Sequence, residues 1–305
     1  MSSIDQRWFH RRGTLARDGW ASVVDDSVPG WQHTGIRVAQ LESGDVLDLS
    51  DTGVERIVVP LAGSFTVKHT EGTTTGTSRL VGRTSVFDGP TDVLYLSSAA
   101  TAVLMGEGRV AVATSPTSEV RSTRYVPAEE TPVELRGAGA SSRQVHNFGT
   151  PEALDAARLI VCEVITPAQN WSSYPPHKHD EHVPGHESRL EEIYYFEVAP
   201  AKDSAGAAAE SAFGLFSTYS SPAGDIEINA MVHTGDIALI PYGYHGPAVA
   251  APGYDLYYLN VMAGPDSERV WLISDDPAHA WVRDTWDGQD VDARLPYGNE
   301  KEGPH

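Results

Sequence analysis

A chain of 305 residues with 40% apolar and 9% aromatic content is long enough for one large domain or two ordinary ones, each with a core. Its formal net charge of −20 excludes nucleic acid and anionic membrane surfaces as partners, and leaves any anionic substrate to locally placed arginine, lysine or metal charge. The one cysteine, Cys162, excludes an intrachain disulfide; with no apolar signal core in MSSIDQRWFHRRG and no membrane-length run, a cytoplasmic protein is expected.

In chain order, the apolar residues come in short runs punctuated by Gly, Pro, Asp and Asn. They are GIRVAQL (35–41), RIVVPLAGSFTV (56–67), VLYLS (93–97), TAVLMG (101–106), RVAVATS (109–115), RLIVCEVITP (158–167), EEIYYFEV (191–198), FGLFSTY (213–219), DIEINAMV (225–232), DIALIP (236–241), YDLYYLNVMAG (254–264) and VWLIS (270–274). Many short strands at close spacing, without helical periods between them, predict an all-β sandwich or barrel. Helix is expected only over 151–157 and 277–284, and 201–213 (AKDSAGAAAESAF) reads as an exposed hairpin loop. Cys162, inside LIVCEV, reads as a buried strand residue. The chain also reads as two related halves, each with a strand, a glycine turn and a second strand. The polar segment 118–143 separates them, which predicts domains over 1–130 and 131–305.

The second half carries the chemistry. His177 and His179 are two apart, so on a strand both imidazoles share a face and can reach one ion. Glu191 and Glu192 head the strand EEIYYFEV, and alternation puts only one of them inside. Further on, GDIALIPYGYHGP (235–247) frames His245 with Gly235, Pro241 and Gly243. Three histidines and a carboxylate suit a divalent ion with one or two positions open: zinc first, with manganese, iron or nickel as alternatives. The bland alternative is a set of polar strand-end residues without metal. The first half has no histidine after the turn at Gly82, and offers Glu55 and Arg56 where the second has its carboxylates. His10, His33, His69, His146, His233, His279 and His305 carry no supporting spacing and read as surface or satisfied interior residues.

These signatures resemble those of the cupin superfamily, in altered form. The twelve residues between His179 and Glu192 replace three or four, Ala199 stands in the glycine position that implies Glu192 and not Glu191 as the ligand, and the second signature is one residue short before His245. NWSSYPPHKHD (170–180), LEEIYYFEV (190–198), GDIALIPYGYHGP and GYDLYYLNVMAGP (253–265) are more specifically similar to the 5-deoxy-glucuronate isomerase family of bacterial inositol catabolism. The resemblance implies two tandem cupin (double-stranded β-helix, jelly-roll) barrels, the first degenerate and the second metal-binding. It also implies aldose–ketose isomerisation of a small anionic sugar acid. Lys178, Arg189 and Arg143 are the candidate partners of the substrate carboxylate, and Glu191, His182 and Tyr244 the candidate acid–base residues. The loop 180–190 is the expected lid, and a homo-oligomer is expected from the fold. Two rivals share the donor set: an Fe(II) dioxygenase, and a sugar-acid-binding cupin without turnover.

Overall fold

The computed structural model describes residues 7–202 and 204–298. The fold is all-β, and among the described residues the only helical pieces are short 3-10 turns. Residues 151–153 form a turn, and the later helical piece is the 3-10 helix Ala280–Trp286, so both expected helices shrink. Among its described residues, the segment 201–213 contributes no strand and includes a 3-10 turn, Ala209–Ser211. His305 lies outside the described residues.

Strands between 22 and 126 form one antiparallel eight-stranded sheet built around the long pair Val54–Glu71 and Ala100–Pro116. The pairing slips between Pro60 and Ala62, where proline, having no N–H, falls at a bulge that bends the sheet. Alternation then divides the apolar run. Val58, Phe65, Val67, Leu94, Leu104 and Val112 form one cluster. Ile57, Val59, Leu61, Tyr95, Ala111 and Ala113 join a larger core that continues into residues beyond 145. Burial on both faces explains why RIVVPL reads as a continuous apolar run instead of an alternating one.

The remaining strands form two facing sheets. One runs in the order Phe9–His10, Ile237–Ile240, Glu191–Pro200, Tyr254–Ala263, Ile160–Thr166, Arg143–Gly149 and Val133–Arg136. The other is centred on Gly214–Tyr219 and Tyr244–Ala250, with His177–Lys178 and Ser274–Asp275 at one edge. Tyr194 and Phe196 of the first sheet pack on Phe216 of the second, with ring centroids 4.7 and 5.3 Å apart. Cys162 is buried here with a raised thiol pKa, as a strand interior predicts.

Buried ion pairs tie the eight-stranded sheet to the others. The Arg83 guanidinium grips Glu163 at 2.7 and 2.6 Å, and Arg109 grips Glu197 at 2.7 and 2.5 Å. His146 is a satisfied interior histidine in this network, 2.6 Å from Glu163 and 2.7 Å from Gln144.

Candidate metal centre and its pocket

Two facing strands and one turn bring the histidines together. His177 pairs directly with His245 across the ladder, which sets both side chains on one face. Glu192 comes from the opposite sheet, between Ile240 and Met262. The turn before His245 needs glycine: Gly243 has φ +96°, and a Cβ there would lie 2.4 Å from Ile226 Cγ2. Gly246, at φ +95°, passes so close to Ser173 that a Cβ would sit 1.8 Å from its carbonyl oxygen.

The imidazoles are oriented by the backbone. Nδ1 of His177, His179 and His245 lies 3.3, 3.1 and 3.1 Å from the carbonyls of Pro175, Leu190 and Gly243. A carbonyl only accepts, so each Nδ1 carries the proton and each Nε2 is left with its lone pair. His179 Nε2 and His245 Nε2 converge on one oxygen of Glu192, at 3.1 and 3.0 Å. Despite that distance, His245 Nε2 has no partner in hydrogen-bonding geometry among the described residues. Ligand atoms of His179, Glu192 and His245 all lie within 4.8 Å of one another, and all three side chains are buried. His177 stands at the rim of this set, its ring 4.5 Å from that of His245 and 6.3 Å from that of His179. Burial pushes the Glu192 carboxyl up, but the adjacent His179 and His245 outweigh it and hold it at about 2. Burial, reinforced by His245, pushes His177 well below the usual imidazole range, so it is neutral. A carboxylate, lone-pair Nε2 atoms and a buried orphan nitrogen fit a divalent cation.

A cavity of about 220 Å³ opens beside the cluster, with His177 and Glu192 in its wall. Three arginines line it, in different states. Arg136 is held by Glu134 at 3.0 and 2.7 Å, and Arg283 by Asp275 at 2.5 and 2.7 Å. Arg143 is 5% exposed, donates to the Ser141 carbonyl at 3.0 Å and lies 5.3 Å from the Trp286 ring, with no carboxylate partner among the described residues. Burial lowers its pKa to about 10, which still leaves it charged at neutral pH. Arg136, Arg283, Asn260 and Trp271 also face the cavity, and sequence reasoning missed all four. Nothing local marks them, because the topology alone brings them in from 136, 260, 271 and 283.

Several expected site residues are placed elsewhere. Glu191 accepts backbone N–H groups of Gln32, His33 and Thr34, at 3.0, 2.7 and 3.3 Å, so its carboxylate faces away from the histidines. Lys178 points away from the cluster, as strand alternation requires, into Asp180, Glu181 and Glu187 at 2.8, 2.7 and 2.9 Å. His182 and Arg189 are half exposed and both bind Asp266, at 3.2 and 3.0 Å. They line a different and larger cavity of about 640 Å³, so the loop 180–190 borders that space and not the one with the histidines. Tyr244 stacks on Tyr219 at 5.2 Å, outside the smaller cavity wall.

No helix among the described residues is long and apolar enough to cross a membrane. The model of the KduI/IolB family matches residues 8–282. The 5-deoxy-glucuronate isomerase of Geobacillus thermodenitrificans is 36% identical over 266 residues, which covers 84% of this chain and 88% of that one. Among solved structures, an IolB-like protein from Salmonella typhimurium superposes with a TM-score of 0.79 at 32% identity, over 90% of this chain and 98% of that chain. Oxalate decarboxylase from Lactobacillus farciminis superposes with a TM-score of 0.63 over 90% of each chain at 9% identity, a likeness of fold alone.

Proposed function

The chain belongs to the KduI/IolB family, and on that premise we propose that it converts 5-deoxy-glucuronate to 2-deoxy-5-keto-gluconate, an aldose–ketose isomerisation in inositol breakdown. One observation carries the chemistry: His179 and His245 converge on Glu192 beside a cavity that also holds the carboxylate-free Arg143.

His177, His179, Glu192 and His245 would hold one divalent ion, zinc first, with manganese, iron and nickel suited to the same donors. Such an ion, when bound, draws charge from neighbouring carbonyl and hydroxyl oxygens. The chain's own groups do the rest. Arg143 binds the substrate carboxylate through its planar fork and so fixes the reacting carbons at the far end of the cavity. The isomerisation moves one hydrogen between adjacent carbons and one between their oxygens. Tyr194, whose hydroxyl lies 2.8 Å from that of Ser173, is held well above the usual phenol range by burial and nearby Glu192, so it is protonated. We assign the exchange between oxygens to this hydroxyl pair, in place of Glu191, His182 and Tyr244. Lys178 and Arg189 keep structural partners, which leaves Arg143 as the carboxylate residue. The reading includes a supporting barrel and a metal-bearing barrel divided near residue 130, with Phe9–His10 crossing to the edge of the second barrel's sheet, a cytoplasmic location and a homo-oligomeric assembly.

The test is to incubate metal-analysed protein with 5-deoxy-glucuronate under argon and follow the aldehyde proton by NMR. Conversion without dioxygen is expected. No conversion at full metal occupancy contradicts the reading, and strict dependence on dioxygen transfers it to the dioxygenase class.

A further inference from the structure

The cavity beside the cluster holds hydrogen-bond donors that the protein itself leaves unused. Among the described residues, eight buried side-chain N or O atoms lack a hydrogen-bond partner, and two of them, Asn260 Nδ2 and Trp271 Nε1, belong to residues lining this one cavity. Buried donors without partners are costly, and an indole N–H can only donate, so a ligand that accepts hydrogen bonds fits here.

Strand register arranges this wall in a definite order. On the inner face, Glu192 stands opposite Met262, and one step along Tyr194 stands opposite Asn260. One step further, Phe196, Tyr258, Val164 and Val145 form a row across four strands. Arg143 follows two residues before Val145 on the same face. Val145 and Val164 of this row line the cavity and offer it apolar surface. From cluster to cation the order is therefore ligand, amide donor, valines, guanidinium.

A sugar acid with its aldehyde end at the cluster and its carboxylate at Arg143 sets its middle hydroxyls against Asn260 and Trp271. The carbon next to its carboxylate then meets Val145 and Val164. In a 5-deoxy-hexuronate that carbon is a methylene; in glucuronate it bears a hydroxyl. We propose that Asn260 and Trp271 bind the central hydroxyls and that the Val145–Val164 row selects the deoxy carbon, because a hydroxyl buried against two valines loses its hydrogen bonds to water and gains none. The proposal rests on the isomerase reading and adds the basis of its specificity.

The experiment measures kcat/KM for 5-deoxy-glucuronate and for glucuronate with metal-loaded wild type, Val164→Thr, Asn260→Leu and Trp271→Phe. Wild type should prefer the deoxy acid by roughly 10²-fold. Val164→Thr, which keeps the shape and adds a hydroxyl, should narrow that preference about tenfold by gaining on glucuronate. Asn260→Leu and Trp271→Phe should each lower kcat/KM about tenfold for both acids, chiefly through KM, at unchanged metal content. Equal wild-type rates on the two acids, or a Val164→Thr variant that loses on both in proportion, would overturn the proposal while leaving the isomerase reading intact. A wild type that converts neither acid would remove both.

Discussion

At the start of Val54–Glu71 and again at the start of Glu191–Pro200, a carboxylate that leaves its own sheet is followed by a charged side chain that stays inside. Glu55 accepts the backbone N–H groups of Ala157, Arg158 and Leu159 at 2.7, 2.6 and 2.7 Å, together with the Tyr95 hydroxyl at 2.7 Å. Glu191 returns the gesture by accepting from Gln32, His33 and Thr34. The next residue makes the difference. Arg56 spends its guanidinium on the carbonyls of Leu49, Asp51, Ser97 and Ala100, and a guanidinium has no lone pair to offer an ion. Glu192 meets two imidazoles instead. The outward carboxylates latch the two parts of the chain together; the inward neighbour decides which part can do chemistry.

The largest effect expected from breaking this asymmetry is at the inward position. Glu192→Ala should lower kcat/KM by at least about 10²–10³-fold in steady-state assays, since it removes a charged group from the reacting centre. Next comes acid. Burial alone would raise Glu163, but Arg83 and His146 hold it at about 2 in the fold, against an ordinary carboxylate value of 4.5. The stability it adds is therefore complete above about pH 4.5 and is lost as pH falls toward 2. Urea titrations should show roughly 3 kcal/mol disappearing over that window. Arg83→Met should flatten the pH dependence. Arg143→Met should then cost about 10–100-fold in kcat/KM, mostly through KM, without changing metal content. The smallest effect is at the outward carboxylate. Glu191→Gln should lower unfolding free energy by about 1–3 kcal/mol in denaturant melts while kcat of the folded enzyme stays within about twofold.

Much of this was readable in advance, for identifiable reasons. Strands follow from alternation and punctuation, and even the run RIVVPL, which does not alternate, is a strand buried on both faces. The meeting of His179, Glu192 and His245 was legible in the His-x-His spacing and the glycine turn before His245, although the strand is only His177–Lys178 and His179 follows it. Alternation put only one of Glu191 and Glu192 inside, and the superfamily spacing to Ala199 pointed to Glu192. What did not show was long-range pairing. Lys178 lies between two candidate ligands in sequence, yet its ammonium belongs to Asp180 and Glu187. His182 and Arg189 sit in the histidine-rich loop, but Asp266, far along the chain, draws both toward another cavity. Asn260 was hidden inside the apolar strand YYLNV, where only the strand register reveals that its amide faces the pocket.

The ion should follow the inward residue and its histidines: none beside Arg56, one at Glu192 with His179 and His245. Metal content per chain, measured by mass spectrometry on wild type, Glu191→Gln and Glu192→Gln after zinc loading and desalting, tests it most directly. One ion per chain is expected in wild type and in Glu191→Gln, with most of it lost in Glu192→Gln. An ion lost from Glu191→Gln but kept by Glu192→Gln, or two ions per wild-type chain, would contradict it.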